Sequence, residues 1–114
     1  MTSQITTHIL DTSLGRPASG VTVMLERQTA KGEWTQVGAG ETDADGRNKS
    51  LLPDQSLTEG LYRISFETGA YFDSQSIDGF YPSVSIVFKV VDPKEHYHVP
   101  LLLNPYGFST YRGS

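Results

Sequence analysis

Few side chains in this chain can move a proton near neutrality: His8, His96 and His98 are its three histidines. A neutral imidazole has a reference pKa near ~6.5, which suits it to general acid–base work. Arg47 follows the turn sequence "DADG" at 43–46. A guanidinium held at a tight turn can be aimed at a carbonyl or a developing oxyanion. On residue type alone, a solvated loop arginine is the simpler reading. His96 and His98 form an H-x-H pair, which invites a metal. A metal site needs three or four ligands, and no further His or paired carboxylate is placed to complete one. No metal and no organic cofactor is therefore expected. A Gly-x-Ser-x-Gly elbow, a phosphate loop and a dinucleotide fingerprint are also missing.

The elements that must position these groups are short β-type segments separated by Gly, Pro, Asp and Asn. They fall at 4–11, 20–28, 33–42, 48–52, 61–68, 83–91, 96–103 and 106–112. Eight such segments at this spacing predict a sandwich or barrel. Alternation places Val21, Val23 and Leu25 on one face of the second segment. In the first segment it sets His8 with Thr6 and Leu10, opposite Ile5 and Ile9. In the seventh it sets His98 with His96, Pro100 and Leu102, opposite Tyr97, Val99, Leu101 and Leu103. Each histidine thus lies opposite the more apolar set. "TGAYFDSQSIDGF" at 68–80 lacks a period of two and predicts a short helix between two strands.

The chain has 114 residues, the size of one domain over 1–114. Such a domain has one thin core, so a small-molecule site would lie in a surface groove or between subunits. Thirteen acidic against nine basic residues give a net charge of -4, which disfavours nucleic acid and anionic membrane as partners. The absence of cysteine removes disulfides and thiolate chemistry. No apolar run approaches the ~20 residues that span a bilayer. "MTSQITTHIL" has neither a basic region nor an apolar stretch of the secretory kind. These features point to the cytoplasm and leave a peroxisomal destination open.

Four blocks carry a resemblance. "ITTHILDTSLGRPASGVTVMLER" at 5–27, "EGLYRISFETGAYF" at 59–72, "FYPSVSIVFKV" at 80–90 and "HYHVPLLLNPYGFSTYRGS" at 96–114 resemble, in order, segments of the transthyretin superfamily. The resemblance implies a mostly β fold, a transthyretin-like β-sandwich of two four-stranded sheets with one short α-helix. It also implies a homotetramer with sites at the dimer–dimer interface. The superfamily holds thyroid-hormone carriers and enzymes, the 5-hydroxyisourate hydrolases. The sequence Tyr111-Arg112-Gly113-Ser114 is similar to the hallmark of the enzyme branch. So are a histidine in the first strand, an arginine after the Asp-Gly turn and a histidine in the seventh strand, which match His8, Arg47 and His98.

The resemblance therefore implies a hydrolase that opens the larger ring of 5-hydroxyisourate, giving 2-oxo-4-hydroxy-4-carboxy-5-ureidoimidazoline in urate degradation. His8 and His98 would divide water activation and proton delivery between them. Arg47 would hold substrate oxygens and Tyr111 the ring. Ser114, through its hydroxyl or terminal carboxylate, would position a histidine or the water. Gly113 would let the tail turn back, and Arg112 would hold it in place. The competing expectation is a carrier of a small aromatic ligand in the same channel. A structural or adhesion domain would have no need of the His/Arg set.

Overall fold

The computed structural model describes residues 3–52 and 57–114; the first two residues of the stretch read for a targeting signal lie outside these. Nine strands and one helix are present among the described residues. In chain order they are β1 (Ile5–Asp11), β2 (Arg16–Pro17), β3 (Thr22–Gln28), β4 (Trp34–Glu41), β5 (Arg47–Asn48), β6 (Gly60–Phe66), α1 (Thr68–Asp73), β7 (Val84–Val90), β8 (Tyr97–Asn104) and β9 (Gly107–Thr110). One sheet runs β4-β3-β6-β7. The other runs β2-β1-β8-β9, with β5 also on β1, so it holds five strands where four were expected. The extra strand is β2: Arg16 and Pro17 fold back as a two-residue pair onto Asp11 and Leu10. Their "LGRPASG" context carries turn chemistry, and a pairing this short leaves no alternation to read.

Alternation decides what is buried. Ile5, Ile9, Leu101 and Leu103 from the first sheet meet Val23, Leu25, Tyr62, Ile64 and Phe66 from the second in one core. Each such side chain contributes roughly 1.5–3 kcal/mol by leaving water. β5 is only two residues long, but the segment after it still delivers Leu51 and Leu52 to the core.

The predicted helix is real but shorter than 68–80. It ends because Ile77 N–H bonds back to the Phe72 carbonyl and Ser76 N–H to that of Asp73, both at 3.0 Å. This crossed pair is a Schellman closure. Ser76 takes the left-handed conformation usually given to glycine, with φ of 57°.

Asp11 ties the helix to β1. Its Oδ2 accepts the Tyr71 hydroxyl at 2.7 Å, and its Oδ1 accepts Ser13 N–H at 3.0 Å and Leu14 N–H at 3.3 Å. The residue is fully buried. Burial pushes its carboxyl up, but the bonds from Ser13, Tyr71 and Leu14 outweigh that and hold it below the usual carboxylate range. Tyr71→Phe should therefore cost about 1–3 kcal/mol, the penalty of a buried acceptor left short of a partner. A group with a depressed folded pKa contributes stability above its ordinary value and loses it as pH falls. Denaturant melts should show the full deficit of the variant well above pH 3.8 and a narrowing gap below it. A deficit unchanged across that range would separate Tyr71 from the charge on Asp11.

Candidate active site

Arg47 is aimed by a turn that is itself docked. Asp43 Oδ1 accepts the backbone N–H of Asp45 at 2.9 Å and of Arg47 at 3.0 Å. Gly46 sits at a φ of 74°, open to glycine at no steric cost. Its carbonyl accepts Ile9 N–H at 2.8 Å, and a Cβ there would come within 2.5 Å of the Ile9 carbonyl oxygen. The turn thus lies flat on β1. The two residues that follow pair with that strand, Arg47 against His8 and Asn48 against Thr7.

On its other side β1 pairs with β8 in parallel, Thr6 against His98 and His8 against Pro100. Three strands therefore bring Arg47, His8 and His98 to one patch of the sheet. His96 and His98 both turn to Thr6, whose Oγ1 lies 3.1 Å from His96 Nε2 and 2.8 Å from His98 Nδ1. Among the described residues, no three His, Cys, Asp or Glu gather as a metal site would require. The H-x-H pair is engaged with a hydroxyl.

Pro100 shapes the chain end. The β8–β9 ladder pairs Leu101 with Thr110, and the same register returns as a bridge between His98 and Gly113. Between them Pro100 has no N–H to offer, so the ladder lapses over Tyr111 and Arg112. It resumes where Gly113 N–H meets the His98 carbonyl at 2.8 Å. Gly113 is not in a left-handed conformation, contrary to the expectation that it turns the tail. Its lack of a side chain serves close approach: a Cβ would lie 2.5 Å from His98 Cδ2.

The tail residues go to different places. Ser114 joins Thr6, Thr7, Arg47, Lys49, His96 and His98 around a shallow pocket of about 170 Å³. Tyr111, 59% exposed, lies in an adjoining, mostly apolar groove with Ile86, Phe88 and Lys89, which His98 also borders. Arg112 bonds Glu95 at 2.9 Å and the His96 carbonyl at 3.2 Å, with its guanidinium 4.4 Å over the Tyr97 ring.

Sequence reasoning missed Thr6 and Lys49 as site residues. Each stands two positions from a residue that was singled out, Thr6 from His8 and Lys49 from Arg47. Parity sets Thr6 on the face of His8 but does not show its two bonds, and Lys49 falls just beyond β5, where no alternation remains to read. Electrostatically the pocket is cationic. Burial, and then Arg47, His96 and His8, push His98 below the ordinary imidazole range. His98 is consequently held neutral and able to accept a proton.

Comparison with known proteins bears on what such a pocket serves. Residues 5–113 match the model of the HIUase/transthyretin family. A 5-hydroxyisourate hydrolase of Salmonella typhimurium is 50% identical over 96% of this chain and 80% of its own length. The crystal structure of sea bream transthyretin in complex with thyroxine superposes with a TM-score of 0.91 at 34% identity, over 97% of this chain and 95% of that one. The structure of Klebsiella pneumoniae 5-hydroxyisourate hydrolase does so with a TM-score of 0.84 at 38% identity, over 96% and 98%.

The cationic surroundings of His98 can be measured directly. Its imidazole resonance should titrate with a midpoint below 6.5, and Arg47→Gln should raise that midpoint toward it. Because the unfolded chain protonates this histidine at higher pH than the folded one, the site also withdraws stability as pH falls below 6.5. A midpoint at or above 6.5, or one indifferent to Arg47→Gln, would contradict the arrangement.

Proposed function

The chain belongs to the HIUase/transthyretin family, and we infer that it acts as that family's hydrolases do, opening the larger ring of 5-hydroxyisourate with water. The observation that carries this reading is the gathering of the His96 and His98 imidazoles and the Arg47 guanidinium around one polar pocket, with His8 paired to Arg47 on the strand beside it. A carrier's channel is mostly apolar and has little use for that set.

Ring opening breaks an acyl C–N bond. Water adds to the carbonyl carbon, the carbonyl electron pair moves to oxygen, and the nitrogen departs with the C–N pair and takes up a proton. His98, held neutral, is suited to take the proton of the attacking water. His8 lies one strand-pair away beside Arg47 and is suited to supply a proton to the departing nitrogen. A positioned acid or base of this kind contributes about 10²–10⁴-fold. Arg47 faces the developing oxyanion, a role worth roughly 3–4 kcal/mol by comparison with other oxyanion donors. Lys49, on the same pocket wall, adds to that field. Ser114 closes the rim with its hydroxyl.

The pocket on one chain is shallow, and large apolar side chains stand exposed: Tyr111 at 59% in the adjoining groove, and Tyr106 at 69% and Phe108 at 40% further along the same sheet. These features support a homotetramer in which a neighbouring copy covers the pocket at the dimer–dimer interface. Tyr111 would there meet the substrate ring. No helix among the described residues is long and apolar enough to cross a membrane.

Freshly made 5-hydroxyisourate should lose its characteristic ultraviolet absorbance faster with the protein than without. Unchanged decay together with thyroxine binding would replace the hydrolase with a carrier. His98→Ala and His8→Ala should each lower kcat by about 10²–10⁴-fold with little loss of stability. Near-parental turnover in either would return that histidine to a structural role. Gly113→Ala should also cut kcat, because the new methyl would displace the His98 ring.

A further inference from the structure

We propose that His96, acting through Thr6, is a positioning residue that fixes the tautomer of His98 and leaves its Nε2 free to accept a proton. The proposal rests on the hydrolase reading of His98. The hydroxyl of Thr6 is buried and lies within hydrogen-bond distance of two imidazole nitrogens, His96 Nε2 at 3.1 Å and His98 Nδ1 at 2.8 Å. A hydroxyl has one proton, so it donates to one ring and accepts from the other. The direction of the chain of bonds therefore sets both tautomers together.

The surroundings choose the direction. His98 spends Nδ1 on Thr6, and its Cδ2 edge abuts Gly113. Nε2 is the ring nitrogen left for the pocket. The cations on the pocket wall, Arg47 and Lys49, can only donate hydrogen bonds, and the Ser114 hydroxyl beside them can donate as well as accept. A lone pair on Nε2 suits them, whereas an N–H there would face like polarity. His98 then carries its proton on Nδ1 and donates it to Thr6, and Thr6 donates to His96 Nε2.

The His96 backbone is held in place at the far end of this chain. Its carbonyl accepts from Arg112, whose guanidinium is anchored on Glu95 and over the Tyr97 ring. The His96 ring lies nearly parallel to that of His98, with centroids 6.4 Å apart and planes 14° from each other. The arrangement does for His98 what a buried carboxylate does for the histidine of a serine-protease triad: it holds one ring nitrogen so that the other is presented in the correct state.

The test uses the full chain labelled with 15N at histidine, at a pH above the His98 titration. Long-range proton–nitrogen correlation distinguishes the nitrogen that carries hydrogen from the one that does not. The wild-type protein should show His98 protonated at Nδ1. Thr6→Val should turn this into a mixture and lower kcat by about 10- to 100-fold, within what a positioned base contributes, with KM little changed. Thr6→Ser should restore both. His96→Ala alters an exposed side chain and carries the test if Thr6→Val does not fold; it should also mix the tautomers and lower kcat. A wild-type His98 protonated at Nε2 overturns the proposal, as do Thr6→Val or His96→Ala proteins that keep both tautomer and kcat. The tautomer is read without substrate, so a failed hydrolase assay and a failed tautomer assignment are separate results.

Discussion

The parallel pairing of β1 with β8 is the constraint on which the rest of the molecule depends. Thr6 and His98 are 92 residues apart in sequence, and no hairpin can join parallel neighbours. The whole second sheet and the helix must fold between them. Once the pair forms, every site residue is attached to it within one strand. Arg47 arrives through β5 on the free side of β1, and Gly113 and Ser114 arrive through β9 and the bridge to β8. The cost is loop closure over nearly the full chain, a term that grows only slowly with length but must be met before the pairing is rewarded. The return is a sheet whose two ends of sequence are adjacent, so groups from three distant segments are held by rigid ladders instead of loops.

Two local devices protect that ladder. Asp11, at the last position of β1, satisfies its carboxylate entirely within the fold and so binds the strand end to α1, the helix between β6 and β7 of the other sheet. Pro100 works by omission. It stands opposite His8 in the centre of the parallel ladder, and its missing N–H interrupts the β9 side over two residues. The interruption lets Tyr111 line the apolar groove and Arg112 reach Glu95 and the His96 carbonyl before Gly113 rejoins the sheet. A residue with a backbone donor at that position would extend the ladder and hold Tyr111 in register.

Much of this was legible in the residues. Period-two alternation separated Ile5 and Ile9 from His8, and Val99 and Leu101 from His98, because a strand with one buried face has to write that face into its sequence. The Asp-Gly turn ahead of Arg47 was legible for the same reason: positive φ at Gly46 leaves a residue-type signature. What stayed hidden were features whose signature is spatial. The two-residue β2 is too short to alternate. The helix end at Ser76 uses a residue that does not advertise a left-handed conformation. Gly113 has two physical uses open to any glycine, and only the position of the His98 ring tells close approach from a turn. Thr6 looked like one more β-branched strand residue, and its bonds to two imidazoles exist only because β8 lies alongside.

A carrier and a hydrolase can share this sandwich, so the backbone does not choose between them. The choice lies in what the outer face of β1 and β8 presents. Polar groups on a sheet face are inexpensive when hydrated, but they become costly once a ligand or another subunit covers them unless each finds a partner. Thr6 Oγ1, His96 Nε2 and His98 Nδ1 are already bonded among themselves in the single chain, and no buried side-chain polar atom among the described residues lacks a hydrogen bond. A face intended only to grip an apolar ligand would gain more from Val or Leu at positions 6 and 98 than from a hydroxyl and an imidazole. Retaining them, with a guanidinium in register next door, forgoes apolar contact for groups that hold and move protons. That exchange suits the ring opening proposed above, in which a proton passes between water and a departing nitrogen.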